Sequence, residues 1–392
     1  MDLDLGRRVA RLFRERFGGE GRLFFASGRV NLLGAHVDYH GGLVLPVAVD
    51  RGVFAAARVR ADRVVRLVSA NFSAAFEWSL DAPPSAAAAG WSVYPLGVLV
   101  TLEREGARLP GLDLAFGGDL PVGAGMSSSA AVLVATATAV AALTDRAGRD
   151  LPPIEVARLA HRAETQFVGV KCGIMDPFAS ALGGAGRALW LDCKDESFDH
   201  VPLPTARMAM VVLDSMTRRE LKDGGFNRRV AESTGALRKL QARLPGITCL
   251  RDVDPEQLDA HRGALDDLEW RRARHVVTEV ARVRRARELL REGRLLEFGQ
   301  LMWLSHLSSR HFYEVSTERL DALHEFSLGH AACYGARLTG AGFGGCALAL
   351  VRAGEVEPFC AHVAERFAVR FGQRPDSCPL GFGSAPCEVA AS

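Results

Sequence analysis

What this chain of 392 residues lacks narrows its class before any motif is considered. Its net charge is only +2, with 48 Lys and Arg against 46 Asp and Glu. No large field of one sign therefore marks it for nucleic acid or an acidic membrane surface. No apolar run reaches the length of a bilayer span, and acids follow Met1 where a leader peptide would be basic. We expect neither export nor membrane insertion. The eight cysteines (Cys172, Cys193, Cys249, Cys333, Cys346, Cys360, Cys378, Cys387) show no C-x-x-C spacing and no histidine in a ligand pattern, which fits a reduced cytoplasm. No solenoid-type repeat is present. What is present is 48% hydrophobic residues, ample for two globular cores.

The chain is organised around residues 120–131. Gly123, Ala124, Gly125, Met126, Ser127, Ser128 and Ser129 run directly into residues 130–143, which contain neither Gly nor Pro and read as a buried helix. Glycines let a backbone approach an anion closely, and a helix N-terminus offers unpaired N–H groups and the positive end of its dipole. The pattern points to phosphate binding. No Lys precedes the serines, which excludes a Walker A loop, and the third glycine of the dinucleotide fingerprint is missing. Taken alone, the stretch reads equally well as a solvated loop with a serine cap.

In chain order, residues 3–17 repeat apolar positions at helical spacing and stop at Gly18 and Gly19. A short strand at 23–26 precedes a segment, 27–42, that mixes glycines with Arg29, His36 and Asp38. Residues 43–49 and 52–58 read as two strands, 81–90 as an exposed connection, 91–102 as a helix and 112–115 as a strand. A helix at 153–168 carries Glu164, and strands follow at 187–192 and 208–213. The composition shifts near residue 205, after which 218–244 and 270–290 are charged, Arg-rich helical patterns of the kind that form solvated faces. A helix at 295–308 and a glycine-rich turn at 338–346, entering a strand at 347–351, complete the reading.

Three glycine-containing motifs thus lie far apart. Gly28-Arg29-Val30-Asn31-Leu32-Leu33-Gly34 with His36, Asp38 and Tyr39, the loop at 120–131, and the turn at 338–346 resemble, in order, the sugar signature, ATP loop and third motif of the galactokinase family within the GHMP small-molecule kinases. Trp91 with Tyr94 and Gly97, residues 172–176, 272–277, 305–306 and 313–316 are similar too. The resemblance covers nearly the whole chain. It implies an α/β fold in two domains: residues 1–205 around a mixed sheet, and 206–392 with a ferredoxin-like sandwich. ATP and sugar would meet between them. It also implies an ATP-dependent sugar 1-kinase acting with Mg²⁺ on galactose or a galactose-type sugar, with no nucleic-acid or membrane partner.

Phosphoryl transfer asks for an anion cradle, a divalent cation and a group that handles the acceptor hydroxyl. The resemblance gives the cradle to Gly123 through Ser129, with Trp91 beside the adenine, where a core tryptophan is the competing reading. It gives the metal to Ser129, with Ser128 as the alternate, and to Glu164. Asp176 sits in an apolar frame that demands a cation. Arg29 is the implied partner, holding Asp176 ionised while Asp176 takes the proton of the C1 hydroxyl. Without the resemblance Asp176 reads as readily as a helix cap. Asp38 would grip adjacent sugar hydroxyls, and His36 and the Gly173 backbone complete the implied pocket. A structural imidazole is the alternative for His36.

The chain departs from the family at four positions. Ala35 stands where the family has a Glu that accepts from the sugar's C6 hydroxyl. Phe226 stands for a pocket Tyr, Pro177 for Gln and Ser27 for Pro. Losing hydrogen-bonding groups costs discrimination more than chemistry. Galactose therefore stays the default, with galacturonate and L-arabinose open; Arg218, Arg219, Lys222 or Arg228 would neutralise a C6 acid. A catalytically silent sugar sensor is a further alternative, against which the serine loop, Asp176, Glu164 and Arg29 are all intact. A dehydrogenase reading of Gly340 to Gly345 fails, because those glycines enter a strand instead of opening a helix.

Overall fold

The computed structural model of the chain describes residues 1–82, 90–121, 125–144, 151–217 and 224–390. Helix α1 (Leu3–Phe17) forms as its spacing predicts: Asp2 caps it through the amides of Asp4 and Leu5, and Leu5, Val9 and Phe13 are buried. They pack with Leu23, Phe25 and Phe54 in a small apolar cluster beneath the first sheet.

That sheet is built from β1 (Arg22–Leu33), β2 (Leu43–Arg60), β3 (Val64–Ser69), β4 (Phe76–Ser79) and β5 (Gly111–Gly118), with α2 (Val93–Arg104) intervening before β5. The strand expected at 23–26 continues through the sugar signature to Leu33. Every residue from Leu23 to Leu33 is buried, so no polar alternation marks its length. The two strands expected at 43–49 and 52–58 are one. Its pairing with β1 jumps from Ser27 opposite Gly52 to Arg29 opposite Ala48, an irregularity of the kind that re-aims side chains.

Helices α3 (Ser128–Leu143), α4 (Pro153–Arg162) and α5 (Met175–Leu182) pack with α2 behind the sheet. Helix α3 is apolar on all sides, as befits a helix surrounded by protein. The helix expected to run from 153 to 168 changes character at Ala163–Val168, where it widens into a π turn. Strands β6 (Arg187–Asp192) and β7 (Phe198–Pro202) extend the sheet from β2.

Strand β8 (Met208–Asp214) opens a second sheet. It is followed by α6 (Gly225–Gln241), α7 (Pro255–Ala260), α8 (Asp267–Arg291), α9 (Leu295–Ser308), α10 (Glu318–Leu328), β9 (Cys333–Thr339), β10 (Cys346–Arg352), α11 (Val356–Phe371) and β11 (Ser377–Leu380). The strand order β11-β8-β10-β9, all antiparallel, is 4-1-3-2 in chain order, the expected ferredoxin-like arrangement. Helix α6 begins at Gly225; the earlier part of the helix expected at 218–244 includes 218–223, outside the described residues. So do 83–89, most of the connection expected at 81–90.

Strand β12 (Cys387–Val389) returns to pair with β1, and Arg22 closes the join by binding Glu388 (2.6 Å). We propose the domain division near residue 205, between β7 and β8. On that division β12 is a segment of the second part lent to the first sheet.

Candidate functional site

The three glycine-containing motifs come together at their backbones. Gly125 (φ 70°) and Gly340 (φ 77°) lie in the left-handed region, which suits glycine. A Cβ on Gly340 would stand 2.9 Å from the Gly125 Cα, and one on Gly125 would stand 3.0 Å from the Thr339 carbonyl oxygen. Neither position tolerates a side chain without moving backbone. The signature strand joins them: the Arg29 N–H donates to the Met126 carbonyl (3.2 Å), and the Arg29 side chain donates to the Gly125 carbonyl.

Arg29 and Asp176 are brought into contact. The guanidinium places Nε 2.8 Å and Nη2 2.6 Å from Asp176 Oδ1. The Asp176 side chain remains 31% exposed against 5% for Arg29, so the carboxylate keeps one open side. Its other oxygen, Oδ2, accepts from the Ser127 hydroxyl. Ser127 is itself left-handed (φ 56°) at the start of α3, and its side chain makes no cap bond, which frees it for Asp176. Asp176 lies in the first turn of α5.

Glu164 sits in the π turn after α4 and accepts from the Ser129 hydroxyl at 3.0 Å. It is buried, and among the described residues no Lys or Arg forms an ion pair with it. Burial first, then the charge of Asp176, push its carboxyl up to about 7. Burial and the same Asp176 charge push Asp38 up to about 6. The Asp38 carboxylate lies against Gly173, where a Cβ would meet Oδ2 at 2.2 Å. Three carboxylates thus share the field of Arg29. A hard cation suits such a surplus, and a hydroxyl with a buried carboxylate are the oxygen donors that Mg²⁺ takes.

His36 is left-handed (φ 58°). Its Nε2 lies 3.0 Å from the Ala341 carbonyl, which can only accept, so this nitrogen carries a proton. Its Nδ1 lies 3.0 Å from the Tyr39 hydroxyl, which continues to Tyr313 (2.8 Å). Both ring nitrogens are engaged inside the protein, as the structural reading of His36 requires. Phe226 packs against the rings of His36 and Tyr39, each centroid 5.6 Å away. Ala35 is buried beside them. Ser128 is exposed at the start of α3. Trp91 stacks on Phe72 and donates to the Ala74 carbonyl (3.2 Å). Gly123 and Ala124, with Arg218, Arg219 and Lys222, lie outside the described residues, and Arg228 is exposed on α6.

Sequence reasoning missed Glu279. It accepts from the backbone N–H groups of Gly34 (2.9 Å) and Ala35 (3.3 Å) at full burial. The signal was present: Glu279 follows Val276 by three residues and precedes Val283 by four, so an acid stands on the apolar stripe of α8.

Comparison with known proteins follows the same outline. The profile of the GHMP kinases N terminal domain matches residues 94–184, that of the galactokinase galactose-binding signature 11–59, and that of the GHMP kinases C terminal 286–369. A galactokinase of Roseiflexus sp. (strain RS-1) is 43% identical over 342 residues, 87% of this chain and 86% of that one. One of Bacillus subtilis (strain 168) is 37% identical over 94% of each chain. The crystal structure of Lactococcus lactis galactokinase complexed with galactose superposes with a TM-score of 0.91 at 34% identity, covering 97% of this chain and 99% of that one. Methanococcus jannaschii mevalonate kinase, at a TM-score of 0.65 and 17% identity over 93% of this chain and 99% of that one, shares the fold.

Two outcomes test this geometry. Gly340→Ala should cost about 1–2 kcal/mol in left-handed strain and more from the contact with Gly125, read as a lower unfolding midpoint; a wild-type midpoint would mean that the loops part freely. The Glu164 carboxyl binds its proton more tightly folded than unfolded, so its contribution to stability is complete at low pH and drains away between 4.5 and about 7. Glu164→Gln removes that loss. Without nucleotide or metal, the Tm of the variant minus that of wild type should rise between about pH 5 and about pH 8. A gap that stays constant with pH would contradict the raised carboxyl.

Proposed function

The chain belongs to the galactokinase family of the GHMP kinases, and on that premise we propose that it transfers the γ-phosphoryl group of ATP to the C1 hydroxyl of galactose. The observation that carries the reading is the Arg29–Asp176 pair, open on one side, held where all three motifs meet. Galacturonate and L-arabinose are not favoured, because the relatives compared above at 34% identity or more are galactokinases.

Asp176 is our candidate for the group that receives the sugar's proton. A carboxylate doubly bound by a buried guanidinium and by a serine hydroxyl is held in one orientation. Its exposed side is left for a sugar hydroxyl, which a general base must meet at hydrogen-bond distance. The same Arg29 charge then offsets the negative charge that shifts as the phosphoryl group moves. Asp38, against Gly173, offers two oxygens to neighbouring sugar hydroxyls, and with its pKa raised only to about 6 it is mainly an acceptor at neutral pH. The N–H groups of the first turn of α3 and the hydroxyls of Ser127 to Ser129 form the proposed phosphate cradle. Ser129 and Glu164 are the residues that would hold Mg²⁺, which when bound spreads the charge of the phosphate oxygens.

No helix among the described residues is long and apolar enough to cross a membrane. The eight free thiols suit a reducing compartment, and we place the protein in the cytoplasm.

Asp176→Asn should lower turnover by about 10²- to 10⁴-fold while leaving ATP affinity at the wild-type value, measured by coupled ADP release and by nucleotide titration. Substantial residual turnover would remove Asp176 from the proton-accepting role. Across galactose, galacturonate, L-arabinose, glucose and N-acetylgalactosamine with MgATP, the highest kcat/KM should fall to galactose. A higher value for galacturonate would make Ala35 a specificity device and overturn the choice of sugar.

A further inference from the structure

Helix α8 reaches into the sugar signature with two buried side chains one turn apart. Glu279 Oε1 accepts from the N–H groups of Gly34 (2.9 Å) and Ala35 (3.3 Å), and His275 Nε2 lies 3.0 Å from the Ala35 carbonyl. Both polar groups of Ala35's backbone are thus held by α8. The support continues to α9, where Ser305 donates to Glu279 Oε1 and Ser308 lies 2.9 Å from His275 Nδ1. Glu279, His275 and Ser305 are fully buried, so water offers no substitute partner.

The residues flanking Ala35 explain why such a grip is needed. Gly34 (φ 95°) and His36 (φ 58°) both have positive φ, and for His36 that backbone is costly. Conformations of this kind persist only where the surroundings over-determine them. His36 and Asp38 follow within three residues of the gripped peptide. We propose that Glu279 and His275 are positioning residues for the sugar site: together they fix the Gly34–Ala35 backbone, and so the placement of His36 and Asp38, from a helix that supplies no group to the reaction.

The charges around Glu279 fit a permanent anchor. Burial pushes its carboxyl up, but Arg282 (2.7 Å) and then Arg337 hold it below the usual carboxylate range. Burial brings His275 down to about 4, so it is neutral and its Nε2 proton serves the Ala35 carbonyl. Arg337, fully buried in β9, binds the Leu32 carbonyl (3.3 Å) with one nitrogen and leaves Nε and Nη2 without partners. Glu279 therefore also supplies negative charge that offsets the burial of Arg337 beneath the signature strand.

The proposal rests on the galactose reading only for the sugar used in the assay. Glu279→Gln and His275→Gln are compared with wild type by kinetics, by equilibrium galactose titration and by amide hydrogen exchange at residues 34–38 without substrate. The expected result is a galactose KM raised about tenfold or more, with kcat and the ATP KM within about twofold, together with faster exchange at Gly34, Ala35 and His36. A wild-type galactose KM and wild-type exchange in a folded variant would overturn it, leaving Glu279 and His275 as core residues whose loss only lowers Tm. Should the charge removal in Glu279→Gln prevent folding, Ser305→Ala and Ser308→Ala loosen the same grip, and the same two readouts decide. Exchange is read without sugar. A wild-type enzyme inert towards galactose would therefore sink the substrate assignment and leave this proposal to stand or fall on its own.

Discussion

The site depends on two chain segments, more than 200 residues apart, touching at bare backbone. Gly125 and Gly340 approach so closely that neither has room for a methyl group. This contact brings the serine loop onto the turn between β9 and β10, and β1 holds each: Arg29 binds the Met126 and Gly125 carbonyls, and the Asn31 N–H donates to the Thr339 hydroxyl (3.3 Å). Once those three segments are locked, the ion pair of Arg29 with Asp176 has little freedom left. The first sheet supplies the arginine, α5 the carboxylate and α3 the serine, and the second sheet supplies the wall.

Charge is the other constraint. Asp38, Glu164 and Asp176 sit in one field around a single buried arginine. Such a cluster is poorly satisfied by itself, and the two raised carboxyls record the deficit. A substrate that arrives as a metal–polyphosphate would bring a cation to that cluster. Elsewhere the fold holds a fully buried acid, Glu279, ionised between Arg282 and Arg337, so burial alone does not leave a carboxylate short of positive charge.

Much of this was legible in the sequence. The buried helix after the serines, the helix at 295–308, the strand at 187–192 and the turn running into β10 announce themselves through composition and spacing. The extent of β1 does not, because a strand covered on both faces has no alternation to mark its end. The π turn that carries Glu164 obeys the same periodicity as an α-helix until its register shifts. The residue roles at Arg29, Asp38 and Asp176 came from resemblance; the residues alone allowed a cap or a surface acid. Glu279 went unread although it breaks an apolar stripe, because an acid on a long Arg-rich helix is ordinarily a solvated one.

The pairing of β1 with β12 has a consequence for synthesis. Arg22 and Glu388 are 366 residues apart in sequence, yet they lie side by side at the edge of the first sheet. A ribosome delivers β1 early and β12 late. Until residues 387–389 emerge, the start of β1 at Leu23 to Phe25 offers an unpaired row of backbone N–H and C=O groups on that side. The nascent chain thus holds its most functional strand half-zipped, exposed to mispairing with neighbouring chains, until the residues that cover it emerge.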